Sequence, residues 1–137
     1  MTEVSSPDHE ACPDADLSVL IVDDEASTRK LLRATVGRLR LPCSITEAAD
    51  GETALEMARR SRPDLVLLDI VLPGSSVSGV MVCQELCRDL ETRVVLITGR
   101  ASDAITQTCM ALGAVECIRK PFSVEQMLET IQRWLPT

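Results

Sequence analysis

Aromatic residues are nearly absent from this chain of 137 residues, which holds one Phe, one Trp and no Tyr. The single histidine is His9, and the six cysteines include no Cys-x-x-Cys pair. A structural zinc site normally needs closely spaced cysteines and histidines, so the sequence argues against such a site. We interpret the cysteines as small apolar residues in a reducing compartment. A regulatory disulfide stays an open alternative that the sequence does not support.

The chain also lacks a long apolar run and a basic surface. It has no stretch of about eighteen apolar residues and no basic leader followed by an apolar one, which argues against a membrane span and a signal peptide. The formal net charge is -7, whereas nucleic-acid binding would need a basic face. We therefore expect a cytoplasmic protein whose partners include no membrane and, for this domain, no nucleic acid.

Acidic residues are concentrated at the N-terminus. Residues 1–16 contain five Asp and Glu residues, two prolines and no Lys or Arg. Such a segment is too polar to bury a core, so we expect a disordered acidic tail there. The remaining length suits a single domain, which we expect over residues 17–135, with residues 136–137 as a C-terminal end or linker stub.

Strand-like and helix-like segments alternate after this tail. Short apolar runs predict buried strands at 17–23, 65–69 and 94–98, and a weaker run predicts one at 115–119. A shorter, more polar segment at 44–48 predicts a strand at an edge of the sheet. Apolar residues at helical spacing predict helices at 26–40, 51–60, 80–90, 102–112 and 124–135. The alternation predicts an α/β fold, a doubly wound (βα)5 domain with a five-stranded parallel sheet.

Local signals predict where three of these helices begin or end. Asp50 and Ser123 precede predicted helices and have side chains that cap helix N-termini. Gln126 lies three residues after Ser123, as in a capping box. Gly113 follows a predicted helix at a position where a left-handed backbone is common.

Chemically active side chains follow four of the predicted strands. Asp23 and Asp24 end the first strand, Asp69 the third, Thr98 the fourth and Lys120 the fifth. Because parallel strands present their carboxyl ends at one sheet edge, we expect these side chains in one pocket. Two carboxylates a few ångströms apart repel each other by about 4 kcal/mol at an effective dielectric of about 20. A cation must offset this repulsion, and Mg²⁺ prefers such oxygen ligands.

This set of residues suits phosphoryl transfer to a carboxylate. Asp69 can attack phosphorus as a nucleophile, and no general base is needed because the carboxylate is already ionised. The metal and Lys120 can neutralise charge on the phosphoryl oxygens. Thr98 can donate a hydrogen bond to one of those oxygens. Taken alone, Asp23 and Asp24 would be interpreted as caps of the first helix, so the joint pattern carries this interpretation.

The ordered motifs resemble the receiver domain of response regulators in two-component signal transduction. The matching segments are Asp23-Asp24, Asp69 with Leu72-Pro73, Thr98-Gly99 and Lys120-Pro121-Phe122. The resemblance covers about residues 17–135 and implies a CheY-like, flavodoxin-like sheet with strand order 2-1-3-4-5. It also implies that the protein is not an enzyme in the usual sense. It would catalyse only its own phosphorylation and dephosphorylation on an aspartate.

The resemblance also implies roles for individual residues. Asp69 would be the phospho-acceptor, and Thr98 and Lys120 would contact the phosphoryl group as switch residues. The implied Mg²⁺ ligands are Asp24, Asp69, the main-chain carbonyl of Val71 and, through water, Asp23. The peptide bond before Pro121 would be cis, which is uncommon outside such sites.

The implied partners are a histidine kinase or histidine phosphotransfer protein, which donates the phosphoryl group, and a downstream effector of unknown identity. A homodimer would use the last two helices and the last strand. The function implied is that of a phosphorelay receiver, switched by phosphorylation of Asp69.

Two departures from the family pattern motivate alternatives. Cys117 stands three residues before the lysine, where the family often has Tyr or Phe, and the 73–79 loop is two residues longer than is common. The alternative is a pseudo-receiver that binds proteins independently of phosphate. A small phosphatase of the same fold is a third hypothesis, although the chain has neither a separate general acid nor a DxD nucleophile motif.

Overall fold

A parallel sheet forms the centre of the computed structural model, which describes residues 17–99 and 101–136. Within these residues, the five strands are β1 (Leu17–Val22), β2 (Cys43–Ala48), β3 (Leu65–Leu68), β4 (Arg93–Thr98) and β5 (Glu116–Arg119). Their order is β2-β1-β3-β4-β5 and every pairing is parallel, which confirms the predicted fold. The predicted acidic tail at 1–16 lies outside the described residues.

Helices cover both faces of this sheet. They are α1 (Ala26–Gly37), α2 (Gly51–Ser61), α3 (Gly79–Gln84), α4 (Asp103–Ala111) and α5 (Val124–Trp134). The helices α1 and α5 pack together on one face, while α2, α3 and α4 pack on the other. None of the helices in the described ranges has the length and apolar character needed to cross a membrane.

The strand sequences divide their side chains between two cores. In β1, Leu20 and Val22 face the core under α2, α3 and α4, whereas Val19 and Ile21 face the core under α1 and α5. Residues of β3 alternate in the same way. A strand buried on both faces is apolar at every position, which explains why these runs do not alternate with polar residues.

The predicted helix ends are present. The Asp50 side chain accepts a hydrogen bond from Thr53 N at 2.8 Å, and the Ser123 hydroxyl accepts one from Gln126 N at 3.0 Å. Gly113 has φ +124° directly after the last residue of the α4 cap. These side chains and this glycine satisfy backbone groups that a helix end leaves without partners.

Two helix predictions need correction. The first helix ends at Gly37 and not at residue 40, because Arg40 adopts a left-handed backbone with φ 57°. The predicted helix at 80–90 is α3 followed by a π-helical turn at Glu85–Asp89, which we call the π turn. Leu90 N donates to Glu85 O, five residues earlier, at 3.0 Å. Apolar spacing does not reveal this change, since Leu86 remains fully buried.

Candidate functional site

The backbone ladder of the sheet positions Asp23, Asp69 and Lys120 one residue past their strands, while Thr98 is the last residue of β4. Val22 pairs with Leu68, so the residues that follow them, Asp23 and Asp69, come side by side. Asp69 N donates to Val22 O at 2.9 Å, and Lys120 N donates to Thr98 O at 2.9 Å. These bonds continue the parallel ladder beyond the strands and place the predicted residues at one edge.

Three carboxylates form the acidic part of the site. One oxygen each from Asp23, Asp24 and Asp69 lies within 4.8 Å of the others. Asp23 is 1% exposed and Asp69 is 6% exposed, whereas Asp24 is exposed to solvent. Buried carboxylates this close need positive charge, and an all-oxygen donor set suits a hard cation such as Mg²⁺. The residues present therefore fit the predicted metal.

Lys120 supplies part of the positive charge. Its Nζ atom lies 2.8 Å from Asp23 Oδ2 and 3.1 Å from Asp69 Oδ2. Burial by itself would lower the pKa of Lys120, but the hydrogen bonds to the two carboxylates outweigh burial and raise it. The lysine is therefore held in its protonated form between the two aspartates.

The Asp69 carboxylate is held in a fixed orientation. Its Oδ1 atom accepts a hydrogen bond from Val71 N at 2.9 Å, while Oδ2 faces Lys120. Burial raises the pKa of Asp69 above the ordinary value, and the bonds from Val71 and Lys120 only partly oppose this. A desolvated, oriented carboxylate beside an ammonium group has the arrangement expected of a nucleophile.

Asp23 does not cap the first helix. The N-cap of α1 is Glu25, which makes no side-chain capping bond. Asp23 Oδ1 instead accepts from Glu25 N at 2.9 Å, and its other oxygen contacts Lys120. The interpretation of Asp23 as a helix cap is therefore wrong, because its side chain turns inward to the cluster.

The pocket at this edge has a volume of about 190 Å³. It is lined by Asp24, Glu25, Asp69, Val71, Pro73, Gly99 and Lys120. Sequence reasoning did not identify Glu25 and Gly99 as lining residues, although both adjoin predicted site residues. A Cβ atom on Gly99 would lie 3.3 Å from Lys120 Cβ, so the glycine leaves room for the lysine stem.

Neither Thr98 nor Cys117 is among the residues that line the pocket. Thr98 is fully buried, and its Oγ1 atom accepts a hydrogen bond from Ala101 N at 3.0 Å. Cys117 is half-buried on β5 and packs against the core under α4. Burial raises the pKa of the Cys117 thiol, which keeps the thiol protonated. The peptide bond between Lys120 and Pro121 is cis.

The long 73–79 loop is fastened to the start of α2. Ser75 Oγ accepts a hydrogen bond from Gly51 N at 3.0 Å, and it lies 2.8 Å from Glu52 Oε1. The Glu52 carboxylate also accepts from Ser76 N at 2.6 Å and from the Ser76 hydroxyl. At the loop end, a Cβ on Gly79 would meet Ile70 O at 2.0 Å, so only glycine fits there. The loop thus has a defined conformation beside the pocket.

An apolar groove adjoins the pocket and shares Lys120 with it. The groove has a volume of about 410 Å³ and is lined by Thr28, Leu31, Lys120, Pro121 and Phe122. Leu31 is 42% exposed and forms part of the apolar wall of this groove. The groove and the pocket are therefore contiguous at Lys120.

Comparison with known proteins decides the family. The response regulator receiver domain family matches residues 19–132 of the chain. This chain belongs to that family. It is a receiver domain of the two-component signalling systems in which response regulators act, as its motifs implied.

Curated relatives of this receiver domain include transcriptional regulators and a phosphotransferase. The chain is 38% identical over 120 residues to the probable transcriptional regulator ycf27 of Guillardia theta, covering 85% of the chain but 46% of that protein. It is 31% identical over 119 residues to sporulation initiation phosphotransferase F of Bacillus subtilis, covering 86% of the chain and 93% of that protein. The chain thus spans about half the length of the ycf27 relative.

Solved structures show the same fold. The receiver domain of NtrX from Brucella abortus superimposes with a TM-score of 0.76 at 29% identity, covering 84% of this chain and 95% of that one. The chemotaxis protein CheY4 of Vibrio cholerae gives a TM-score of 0.75 at 29% identity, covering 88% of this chain and 99% of that one. The strand order of the receiver domain is therefore that of CheY-like proteins.

Proposed function

We propose that this receiver domain accepts a phosphoryl group on Asp69 from a histidine kinase or a histidine phosphotransfer protein, in a reaction that requires Mg²⁺. The supporting observation is the position of Asp69, whose Oδ2 lies 3.1 Å from Lys120 Nζ at the wall of an acidic pocket. A buried carboxylate with one oxygen bound by Val71 N has a defined direction of attack.

This geometry supports a direct transfer of the phosphoryl group. An Asp69 carboxylate oxygen attacks phosphorus and forms a P–O bond, while the P–N bond to the donor imidazole breaks and its electron pair returns to the ring. Lys120 remains protonated throughout and neutralises charge on the phosphoryl oxygens. The product is an aspartyl phosphate on Asp69.

The metal would be held by residues that already meet at this edge. Its ligands would be Asp24, Asp69 and the main-chain carbonyl of Val71, with Asp23 acting through water. When bound, Mg²⁺ supplies positive charge that offsets both the carboxylates and the incoming phosphoryl group. Asp23 stays paired with Lys120, which explains why a fully buried carboxylate is tolerated there.

Switching would begin at Thr98. Its hydroxyl accepts a bond from Ala101 N, and a phosphoryl oxygen on Asp69 would offer that hydroxyl a new acceptor. Movement of Thr98 toward Asp69 would then pull on the segment that leads into α4. Cys117 cannot fill the space of an aromatic ring, so we propose that the effector detects the β4–α4 segment and not a ring on β5.

The phosphoryl donor would dock on the apolar groove. Leu31 and Phe122 line this groove, and Lys120 belongs to both the groove and the pocket. A donor histidine can therefore approach Asp69 while its carrier covers the exposed Leu31 side chain. Small phosphodonors need no such contact. The homodimer surface on α4, β5 and α5 stays a prediction, which the mass of the phosphorylated protein in solution would test.

Labelling with acetyl phosphate tests the central proposal. We expect a mass increase of one phosphoryl group with Mg²⁺ and none with excess EDTA. Asp69→Asn should abolish the labelling, and Asp89→Asn, in an exposed position of the π turn, should not. Labelling that persists in Asp69→Asn would overturn the assignment. A wild-type protein that binds neither phosphate nor beryllofluoride with Mg²⁺ would instead support the pseudo-receiver.

A further inference from the structure

Two thiols of α3 and the π turn are in contact. Cys83 Sγ lies 3.8 Å from Cys87 Sγ, which is van der Waals or weak hydrogen-bond distance. A third cysteine is adjacent, since Cys83 Sγ lies 3.7 Å from Cys109 O on α4. The three cysteines lie on the face of the sheet that carries α3 and α4, and they take no part in the phosphoryl chemistry.

The two thiols differ in exposure and in acidity. Cys83 is fully buried, while Cys87 is only half-buried and is therefore the one that solvent can reach. The hydrogen bond that Cys83 can donate lowers the pKa of the Cys87 thiol, although burial opposes this. Gly113 borders Cys87 without a side chain; a Cβ there would lie 3.2 Å from Cys87 Cβ.

We propose that Cys87 and Cys83 are an oxidisable pair, in which a peroxide attacks Cys87 and Cys83 then closes a disulfide. The Cys87 thiolate attacks a peroxide oxygen, the O–O bond breaks, and the products are a sulfenic acid and hydroxide, which becomes water. Cys83 sulfur next attacks the sulfenic sulfur, an S–S bond forms, and hydroxide leaves with the Cys83 proton as water. Two thiols are oxidised and one hydrogen peroxide is reduced to two waters.

The backbone between Cys83 and Cys87 affects whether a disulfide can form between them. A disulfide needs the sulfurs at about 2.05 Å, so they must approach further than the observed 3.8 Å. Residues four apart on a regular helix have Cβ atoms about 5–6 Å apart, and a disulfide needs about 4 Å. The π turn begins at Glu85, between the two cysteines, and already departs from the regular helical ladder. Formation of the disulfide would therefore distort a segment that already departs from a regular α-helix.

The other cysteines of the described ranges do not combine partial exposure, a lowered thiol pKa and contact with a second thiol. Cys43 and Cys117 are half-buried, but burial raises the pKa of both thiols. Cys43 Sγ has a weak contact with Ser44 O, its own neighbour in sequence. Cys109 is fully buried. Among the cysteines of the described ranges, Cys87 is thus the expected first site of oxidation, and Cys43 is a suitable control.

Peptide mass mapping after treatment with hydrogen peroxide tests the pair. Trypsin leaves Cys83 and Cys87 together in residues 61–88, because Arg62 precedes a proline. We expect this peptide to lose two hydrogen atoms and to resist alkylation until a reductant is added. Cys83→Ala should instead accumulate a Cys87 sulfenic acid that dimedone traps. Cys43→Ser should leave the result unchanged.

A surface variant keeps the test decisive if Cys83→Ala fails to fold. Cys87→Ser changes the partly exposed member, and its Cys83 should then remain reduced because solvent does not reach it. Free thiols at both positions after peroxide treatment would overturn the proposal. A cross-link between residues 61–88 and 101–119 would also overturn it, since that product would join Cys83 or Cys87 to a cysteine outside the proposed pair.

Discussion

Lys120 Nζ and Asp69 Oδ2 lie 3.1 Å apart, although 51 residues separate them in the sequence. The same ammonium group lies 2.8 Å from Asp23 Oδ2, so it joins the ends of β1, β3 and β5. One side chain therefore contributes both to the stability of the acidic cluster and to the proposed chemistry. These two contributions can be separated by experiment.

Replacing Lys120 by alanine should leave the buried Asp23 carboxylate without a counter-charge. We expect Lys120→Ala to lower the free energy of unfolding by about 3 kcal/mol in metal-free buffer, as for other broken buried ion pairs. Added Mg²⁺ should restore more stability to the variant than to the wild type. Urea denaturation with and without Mg²⁺ measures both quantities, and the acetyl phosphate labelling rate should fall at least about tenfold, a change of about 1.4 kcal/mol.

Lys30 is the matched control, because it is the only other lysine of the chain and is exposed on α1. Lys30→Ala should change neither the stability nor the labelling rate. Equal losses in the two variants would show that net charge, and not the contact with Asp69, controls the site.

The increase in thermal stability that Mg²⁺ produces should depend on the Asp24 carboxylate. Binding to the native state alone adds about 2.7 kcal/mol at a ligand concentration about 100 times the dissociation constant. We expect thermal unfolding of the wild type to shift upward with Mg²⁺ and that of Asp24→Asn to shift far less. Without metal, Asp24→Asn should be as stable as the wild type or more stable, because it removes like-charge repulsion. Asp89→Asn serves as control, and an unchanged Mg²⁺ response in Asp24→Asn would contradict the ligand assignment.

The strand ends explain why so much of the site could be predicted from sequence. Apolar runs define β1 and β3, and residues that follow paired strands must be neighbours, which places Asp23 beside Asp69. The number and order of strands likewise follow from the alternation and the resemblance. Local capping signals such as Asp50 act over a few residues, so they too could be predicted.

Features that depend on the path of the chain could not be predicted. The π turn rests on a bond from Leu90 N to Glu85 O, and the apolar pattern is the same with or without it. The position of the 73–79 loop depends on bonds between Ser75 and the start of α2, more than twenty residues earlier. Glu25 lines the pocket. Its backbone N–H donates to the Asp23 side chain, and this turn of the chain cannot be predicted from composition.

Ser75 should control how firmly the long loop is held beside the pocket. Ser75→Ala removes the acceptor of the buried Gly51 N–H, so we expect a loss of about 1 kcal/mol in unfolding free energy. Since Val71 and Pro73 line the pocket at the start of this loop, Mg²⁺ affinity should also fall. Isothermal calorimetry measures that affinity. Ser61→Ala, at the exposed far end of α2, should leave it unchanged; an equal effect there would contradict the proposed anchor.

Glu116 should make the packing of α5 on β5 depend on pH. Burial alone would raise the pKa of Glu116, but hydrogen bonds from Trp134 and Arg133, each at 2.7 Å, outweigh burial and lower it. A lowered pKa in the folded state means that the stabilisation is complete above the unfolded value of about 4.5 and is lost as pH falls through the folded value. Glu116→Gln should therefore cost about 1 kcal/mol at neutral pH, and this difference should vanish in acid.

Fluorescence of Trp134, the only tryptophan, reports this transition directly. Its indole N–H donates to the Glu116 carboxylate, so we expect the emission to change at the pH where the stability difference disappears. Glu129→Gln is the control, because Glu129 is exposed on the same helix. If Glu129→Gln gave the same pH profile as Glu116→Gln, the general charge of α5 would explain the effect and the specific bond to Trp134 would not.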